Sequence, residues 1–154
     1  LNYAMSLYAI ADAHEQGYDE NLYLDSATRT YVEETGGANV IFITKEGGLV
    51  TPKSPTILPS ITRRSLLYVA EHYLGIPAEE RPVRADELGD FAECGLCGTA
   101  AVISPVGTIV DHDKEYHFGA AEPGQSVIQR LYETLLAIQH GQKPAPEGWI
   151  MHIR

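Results

Sequence analysis

A helix start that could bind a phosphate is the strongest chemical signal in the chain. In residues 57–63 (ILPSITR), a Pro-Ser pair ends an extended loop, and Ile61 and Thr62 open a helix. The first N–H groups of a helix have no intrahelical partner and attract anions. A phosphate there would also meet the Thr62 hydroxyl, with Arg63 and Arg64 adding positive potential. The plainer alternative is an ordinary serine-capped helix.

A second candidate is the Gly-Thr turn in residues 97–105 (CGTAAVISP). Gly98 allows a ligand to approach the backbone closely, and Thr99 offers an N–H and a hydroxyl. The alternative is a tight bend that leads into a buried strand.

Two adjacent acids, Glu33 and Glu34, form the third candidate. On a strand they point to opposite faces, so one can be solvated while the other enters the domain. A carboxylate that enters the domain needs a cationic partner or a proton to bind. The alternative is a pair of solvated acids at the end of a strand.

The cysteines and histidines offer less. Cys94 and Cys97 have the spacing of a redox motif but do not open a helix, and no second Cys pair completes a zinc site. We expect two free thiols, a reducing compartment such as the cytoplasm, and no metal. His112 and His117 flank a turn and are expected at the surface.

Composition narrows the function classes. The chain has 154 residues and a net charge of −10, which suits one domain of roughly 150 residues. An acidic chain repels phosphate backbones, which argues against nucleic-acid binding. Because no apolar run approaches the ~20 residues that span a bilayer, we expect a soluble protein without a membrane partner.

Hydrophobic periodicity, caps and turn residues indicate which elements must position these residues. Helices are expected up to about residue 16, over 61–74 and after Ser126, with one further helical turn at 85–91. Strands are expected at 21–25, 30–34, 39–44 and 49–51, from Val83, within 94–105, in a hairpin around 112–114, and at 149–153. Three helices that enclose mixed short strands predict a single mixed α/β or α+β domain.

Six segments follow one another in an order that resembles the branched-chain amino-acid aminotransferases, which are pyridoxal-phosphate enzymes of fold type IV. They are NYAMSLYA, LYLD, YVEETGGANVIFI, TILPSITRRSLL, CGTAAVISPVG and LLAIQHGQKPAPEGW. The resemblance implies a mixed α/β, pseudo-barrel-like fold. It also implies that residues 1–154 form the C-terminal, cofactor-binding domain of a two-domain subunit, and that this subunit dimerises with a second copy.

The resemblance also implies roles for individual residues. Glu34 would bond the pyridine nitrogen of pyridoxal 5′-phosphate, and Tyr3 would lie beside its phenolic oxygen. The phosphate would be bound by Ile61, Thr62 and Thr99, and the substrate carboxylate by backbone donors of Thr99 and Ala100. Thr35 and Gly98 complete the expected cofactor-binding set. The Schiff-base lysine is expected three residues before Leu1, and this chain is therefore expected to be inactive alone.

The implied reaction is amino-group transfer between Leu, Ile or Val and 2-oxoglutarate. Two other interpretations stay open. One is a sibling of the same fold type, a D-amino-acid aminotransferase or an aminodeoxychorismate lyase. The other is a non-catalytic phosphate-binding or thiol-redox module that uses 57–63 and Cys94–Cys97. A lysine upstream of Leu1 would favour an enzyme over the module.

Overall fold

A computed structural model describes residues 6–122, 124–151 and 153. The helices are α1 (Leu7–Glu15), α2 (Ile61–Tyr73) and α3 (Val127–Gln139), together with a 3₁₀ helix (Ala85–Asp90). The strands are β1 (Leu22–Leu24), β2 (Val32–Thr35), β3 (Asn39–Thr44), β4 (Leu49–Pro52), β5 (Ala78–Arg81), β6 (Phe91–Gly98), β7 (Val102–Val106), β8 (Thr108–Asp111) and β9 (Lys114–His117). The mixed α/β expectation is confirmed.

Strand β3 is the centre of a seven-stranded sheet. It pairs with β6 along its length on one side, while β2 meets its start and β4 its end on the other. The pairings are antiparallel except for β4 with β5. Because the run VIFI alternates between both faces and all four residues are buried, each face of β3 packs against a core.

The two faces of the sheet carry two apolar clusters. One contains Ile41 and Ile43 and is closed by α2 and α3. The other contains Val40 and Phe42 and is covered by the 3₁₀ helix and the β8–β9 hairpin. This arrangement leaves the start of β3 and the adjoining strand ends at one end of the sheet.

A buried acid fixes the start of α3. Glu93 on β6 accepts hydrogen bonds from Ser126 Oγ at 2.6 Å and from the main-chain N–H groups of Val127 and Ile128 at 2.8 and 3.2 Å. Ser126 in turn accepts from Gln129 N, which confirms the expected cap. The carboxylate also lies at the positive end of the helix dipole, so its burial is offset without a cation.

Three expected strands differ from the structure. The strand expected from Val83 lies earlier, at Ala78–Arg81, because Pro82 has no N–H to continue a ladder. The single buried strand expected within 94–105 is a hairpin of β6 and β7. Most residues of β6 are buried, whereas only one residue of β7 is. Residues 149–151 and 153 are not in a strand; Trp149 instead packs on Tyr68 of α2, with ring centroids 5.3 Å apart.

The other expected elements are confirmed, including the helical turn at 85–91 and the hairpin around 112–114. Among the described helices, none is long and apolar enough to cross a membrane.

Candidate functional site

Glu34 is held by two N–H donors at the end of β2. Its carboxylate accepts from Asn39 Nδ2 at 2.8 Å and from the main-chain N–H of Leu58 at 3.2 and 3.3 Å. The side chain is half-buried. The carboxylate is thus oriented by neutral donors and keeps acceptor capacity for a further partner.

Glu33 has a separate set of partners, as strand alternation predicts. It accepts from Ser54 Oγ at 3.0 Å and from Thr56 Oγ1. The alternative of two solvated acids is therefore wrong, because both side chains are half-buried and hydrogen-bonded. Glu34 bonds Leu58, three residues before α2, whereas the partners of Glu33 lie earlier in the same loop.

The start of α2 is both capped and able to donate. Ser60 Oγ accepts from Arg63 N at 3.2 Å, and Ser60 O accepts from Arg64 N at 3.1 Å. Within the described residues, the N–H groups of Ile61 and Thr62 make no hydrogen bond. The serine cap and an anion site are therefore compatible, since the cap uses a different N–H group.

The Gly-Thr turn lies between β6 and β7. Gly98 ends β6, and the exposed residues Thr99 and Ala100 form the turn. Val102, the first residue of β7, has a φ of 59°, which is unfavourable for a β-branched residue. Strained backbone of this kind is concentrated at functional sites.

Asn39 brings the predicted site segments together. It lies opposite Glu34 on β2 and opposite Cys97 on β6. Its side-chain amide also donates to Leu58 O at 3.3 Å, three residues before Ile61. The acid, the start of α2 and the turn after β6 therefore lie at the same end of β3.

Asn39 is also the residue that the sequence interpretation missed. It is 5% exposed, and a polar side chain with this burial needs hydrogen-bond partners. The available signal was its position as a lone amide at the start of the apolar run NVIFIT. Tyr3, in contrast, was expected in the site and lies outside the described residues.

The role expected for Arg63 needs correction. Its guanidinium is buried, donates from Nη1 to Pro52 O at 2.9 Å, and pairs through Nη2 with Glu80 at 3.0 Å. Its charge is thus largely neutralised, and Arg64 is the exposed cation of the pair. The sequence could not show this ion pair because it depends on β5 lying beside β4.

Thr35 is buried, and its hydroxyl is engaged within the β2–β3 turn. The hydroxyl donates to Ala38 O and accepts from Ala38 N, both at 3.0 Å. Thr35 lines a cavity of about 780 Å³ between α1 and the sheet. Apart from Thr35, none of the predicted site residues that the structure describes lines this cavity, so this part of the candidate site is an open surface at the strand ends.

The cysteines are free, as expected, and both are buried. They point to opposite faces of β6, Cys94 into one apolar cluster and Cys97 into the other. Burial raises the pKa of both thiols, that of Cys97 to about 12 despite the lowering effect of nearby Arg63. Such thiols are poor nucleophiles, which argues against the thiol-redox alternative. Within the described residues, no group of three or more His, Cys, Asp or Glu could hold a metal ion.

Known proteins match almost the whole chain. It is 48% identical over 152 residues to the branched-chain-amino-acid aminotransferase of Helicobacter pylori, covering 99% of this chain and 44% of that protein. It is 47% identical over 157 residues to the enzyme of the same name from Haemophilus influenzae, covering 99% and 46%. The chain thus spans less than half the length of these relatives.

Solved structures agree in fold. The branched-chain amino acid aminotransferase of Thermobaculum terrenum, in its PLP form, is 35% identical with a TM-score of 0.78, covering 92% of this chain and 44% of that one. The branched-chain amino acid aminotransferase of Escherichia coli is 30% identical with a TM-score of 0.78, covering 97% and 47%. The expected fold type is therefore confirmed.

The model of the amino-transferase class IV family matches residues 1–109. This match covers most of the chain, including the Glu34 strand, the start of α2 and the Gly-Thr turn. This chain belongs to the class IV aminotransferase family.

Proposed function

We propose that this chain is the cofactor-binding domain of a branched-chain-amino-acid aminotransferase. In this proposal, residues 1–154 form the C-terminal domain of a longer, two-domain subunit. That subunit transfers an amino group between Leu, Ile or Val and 2-oxoglutarate with pyridoxal 5′-phosphate. The relatives that match 99% of the chain are named branched-chain-amino-acid aminotransferases, which supports this proposal.

One observation carries the proposal: an oriented carboxylate and a helix start with free N–H groups lie at the same end of β3. Pyridoxal phosphate has a basic ring nitrogen and a dianionic phosphate, so its two polar ends need such partners. Glu34 suits the nitrogen, and the N–H groups of Ile61 and Thr62 suit the phosphate. Thr99 on the neighbouring turn, with Gly98 before it, would add a further phosphate contact.

When bound, the cofactor supplies an electron sink for the substrate Cα. The residues of this chain bind and orient the reactants around it. The Glu34 carboxylate would hold a proton on the ring nitrogen, since Asn39 and Leu58 fix its orientation. Backbone donors at Thr99 and Ala100 would bind the substrate carboxylate, next to the phosphate. Tyr3 would lie beside the phenolic oxygen, and Thr35 would support the Glu34 strand from its turn.

Proton transfer at the substrate Cα requires an amine that the described residues do not place in the site. Lys45 donates to Gly89 O at 3.1 Å, on the far side of the sheet from α2, and Lys114 begins β9. Lys53 follows β4, and Lys143 follows α3. We therefore propose that the lysine comes from the longer protein, three residues before Leu1.

The proposal extends to assembly and location. Because the resemblance to branched-chain aminotransferases implies a dimer, we propose a homodimer of the longer protein, with its active sites near the interface. The partners are then amino-acid and 2-oxo-acid substrates, with no role for nucleic acid or membrane. Two buried free thiols suit a reducing compartment, which supports a cytoplasmic location.

A substrate panel tests the proposal. The longer protein, saturated with pyridoxal phosphate, is assayed for glutamate formation or consumption with L-leucine, L-isoleucine, L-valine and D-alanine. We expect turnover of the three branched-chain substrates and a kcat/KM for D-alanine that is lower by about 100-fold or more, as expected for a polar or steric mismatch. Turnover of D-alanine alone, or lyase activity on aminodeoxychorismate, would contradict the proposed function.

A further inference from the structure

A single buried side chain joins Glu34 to the loop that leads into α2. The Asn39 amide donates to Glu34 Oε2 at 2.8 Å and to Leu58 O at 3.3 Å. The Leu58 N–H donates to the same carboxylate at 3.2 Å. Asn39, Glu34 and Leu58 thus form a closed hydrogen-bonded set in which both polar groups of Leu58 are used.

Asn39 has little freedom to move. Its backbone is paired on both sides, with Glu34 on β2 and with Cys97 on β6. Its side chain is almost fully buried, so the amide has few alternative partners. Both amide hydrogens are directed at acceptors, one on the acid and one on the loop that leads into α2. The side chain is therefore preorganised before any ligand binds.

We propose that Asn39 is the positioning residue for Glu34, and that it also sets the distance between this acid and the start of α2. It holds one carboxylate oxygen, so that the other is directed to the ligand. Through Leu58 O it also fixes the loop that carries Ile61 and Thr62. This inference rests on the proposed function, because the ligand that needs both ends at a fixed separation is a phosphorylated pyridine.

The alternative is that Asn39 only stabilises the fold. The two roles differ in what the loss of the amide changes. A structural residue affects all ligands equally, through the folded fraction. A positioning residue selectively affects a ligand that engages the Glu34 carboxylate, because the carboxylate loses its fixed direction.

The probes are pyridoxamine 5′-phosphate and its 1-deaza analogue, in which a C–H replaces the ring nitrogen. Both have the same phosphate and amine. A hydrogen bond to a charged group contributes about 1.5–3 kcal/mol, so we expect the 154-residue chain to bind the nitrogen-containing probe about 10- to 100-fold more tightly. In Asn39→Ala and Asn39→Leu, that ratio should fall to less than about threefold. The affinity for the deaza analogue, which depends on the start of α2 but not on the Glu34 carboxylate, should fall by a smaller factor than that for pyridoxamine 5′-phosphate.

Thr56→Val is the matched control, because it removes a donor from the neighbouring acid, Glu33. The binding ratio of this variant should equal that of the unmodified chain. A second measurement leaves Asn39 unchanged. The NMR resonances of the Asn39 side-chain N–H groups are recorded in the Glu34→Gln and Glu33→Gln variants. Only Glu34→Gln should shift them, which keeps the inference testable if the Asn39 variants do not fold.

The outcomes separate the inference from the function on which it rests. A ratio that stays high in folded Asn39 variants, or Asn39 resonances insensitive to Glu34→Gln, overturns the positioning role and leaves the proposed function standing. Failure of the unmodified chain to bind either probe contradicts the proposed cofactor site and the inference together. Loss of affinity for both probes alike assigns Asn39 a purely structural role and overturns the inference.

Discussion

At the scale of the residue, Glu33 and Glu34 provide a matched pair for testing which acid acts. In the longer protein, Glu34→Gln should lower kcat for leucine by about 100-fold or more, because a neutral amide cannot hold a proton on the ring nitrogen. Glu33→Gln should change kcat by less than about threefold, since Glu33 bonds Ser54 and Thr56 instead. Steady-state kinetics of the two variants check this.

The comparison is informative because the two substitutions remove the same charge one residue apart. Equal losses in both variants would contradict the assignment of Glu34. Strand alternation predicted that the two side chains point to opposite faces. The structure shows that they have different hydrogen-bond partners. Asn39 could not be predicted, because its role depends on β2, β6 and a loop that meet only in the folded chain.

At the scale of the element, the turn between β1 and β2 makes stability depend on pH. The Asp25 carboxylate accepts from the main-chain N–H groups of Thr28, Thr30 and Tyr31 at 2.7, 2.8 and 2.8 Å. These donors, that of Tyr31 foremost, hold the pKa of Asp25 well below its usual range. Stabilisation from a lowered pKa is complete above the unfolded value of about 3.9 and is lost as pH falls towards the folded value.

Asp25→Asn should therefore lower the free energy of unfolding at about pH 5, by an amount that shrinks towards about pH 3. Urea unfolding of both proteins at a series of pH values measures this difference. Asp90→Asn is the control, because Asp90 is exposed and its side chain makes no hydrogen bond among the described residues. If the difference between Asp25→Asn and the unmodified chain grows as pH falls, the hydrogen-bonded turn does not have this role.

The elements themselves show where sequence reasoning succeeds and where it fails. Caps and stops predicted α2 and α3 well, because Ser60, Ser126 and the glycines after each helix act locally. Strand limits depend on partners that are distant in sequence. For this reason β5 was expected too late, and β6 and β7 were merged into one strand.

At the scale of the whole molecule, the mixed α/β class was predictable because helical and strand patterns alternate along the chain. The location of the site was predictable only through the family resemblance. Periodicity does not show that the start of α2 and the turn after β6 lie at the same end of β3. The cavity of about 780 Å³ beside Thr35 was not expected from the sequence, and it gives a second place where a ligand could bind.

The proposed function depends on one ligand that bridges Glu34 and the start of α2. The most direct test is an amide NMR titration of the chain with pyridoxamine 5′-phosphate. We expect saturable shifts that are largest at Ile61, Thr62 and Thr99, with smaller shifts around Glu34. Shifts confined to the cavity lined by Leu22 and Leu96, or shifts that do not saturate, would contradict a ligand in this position.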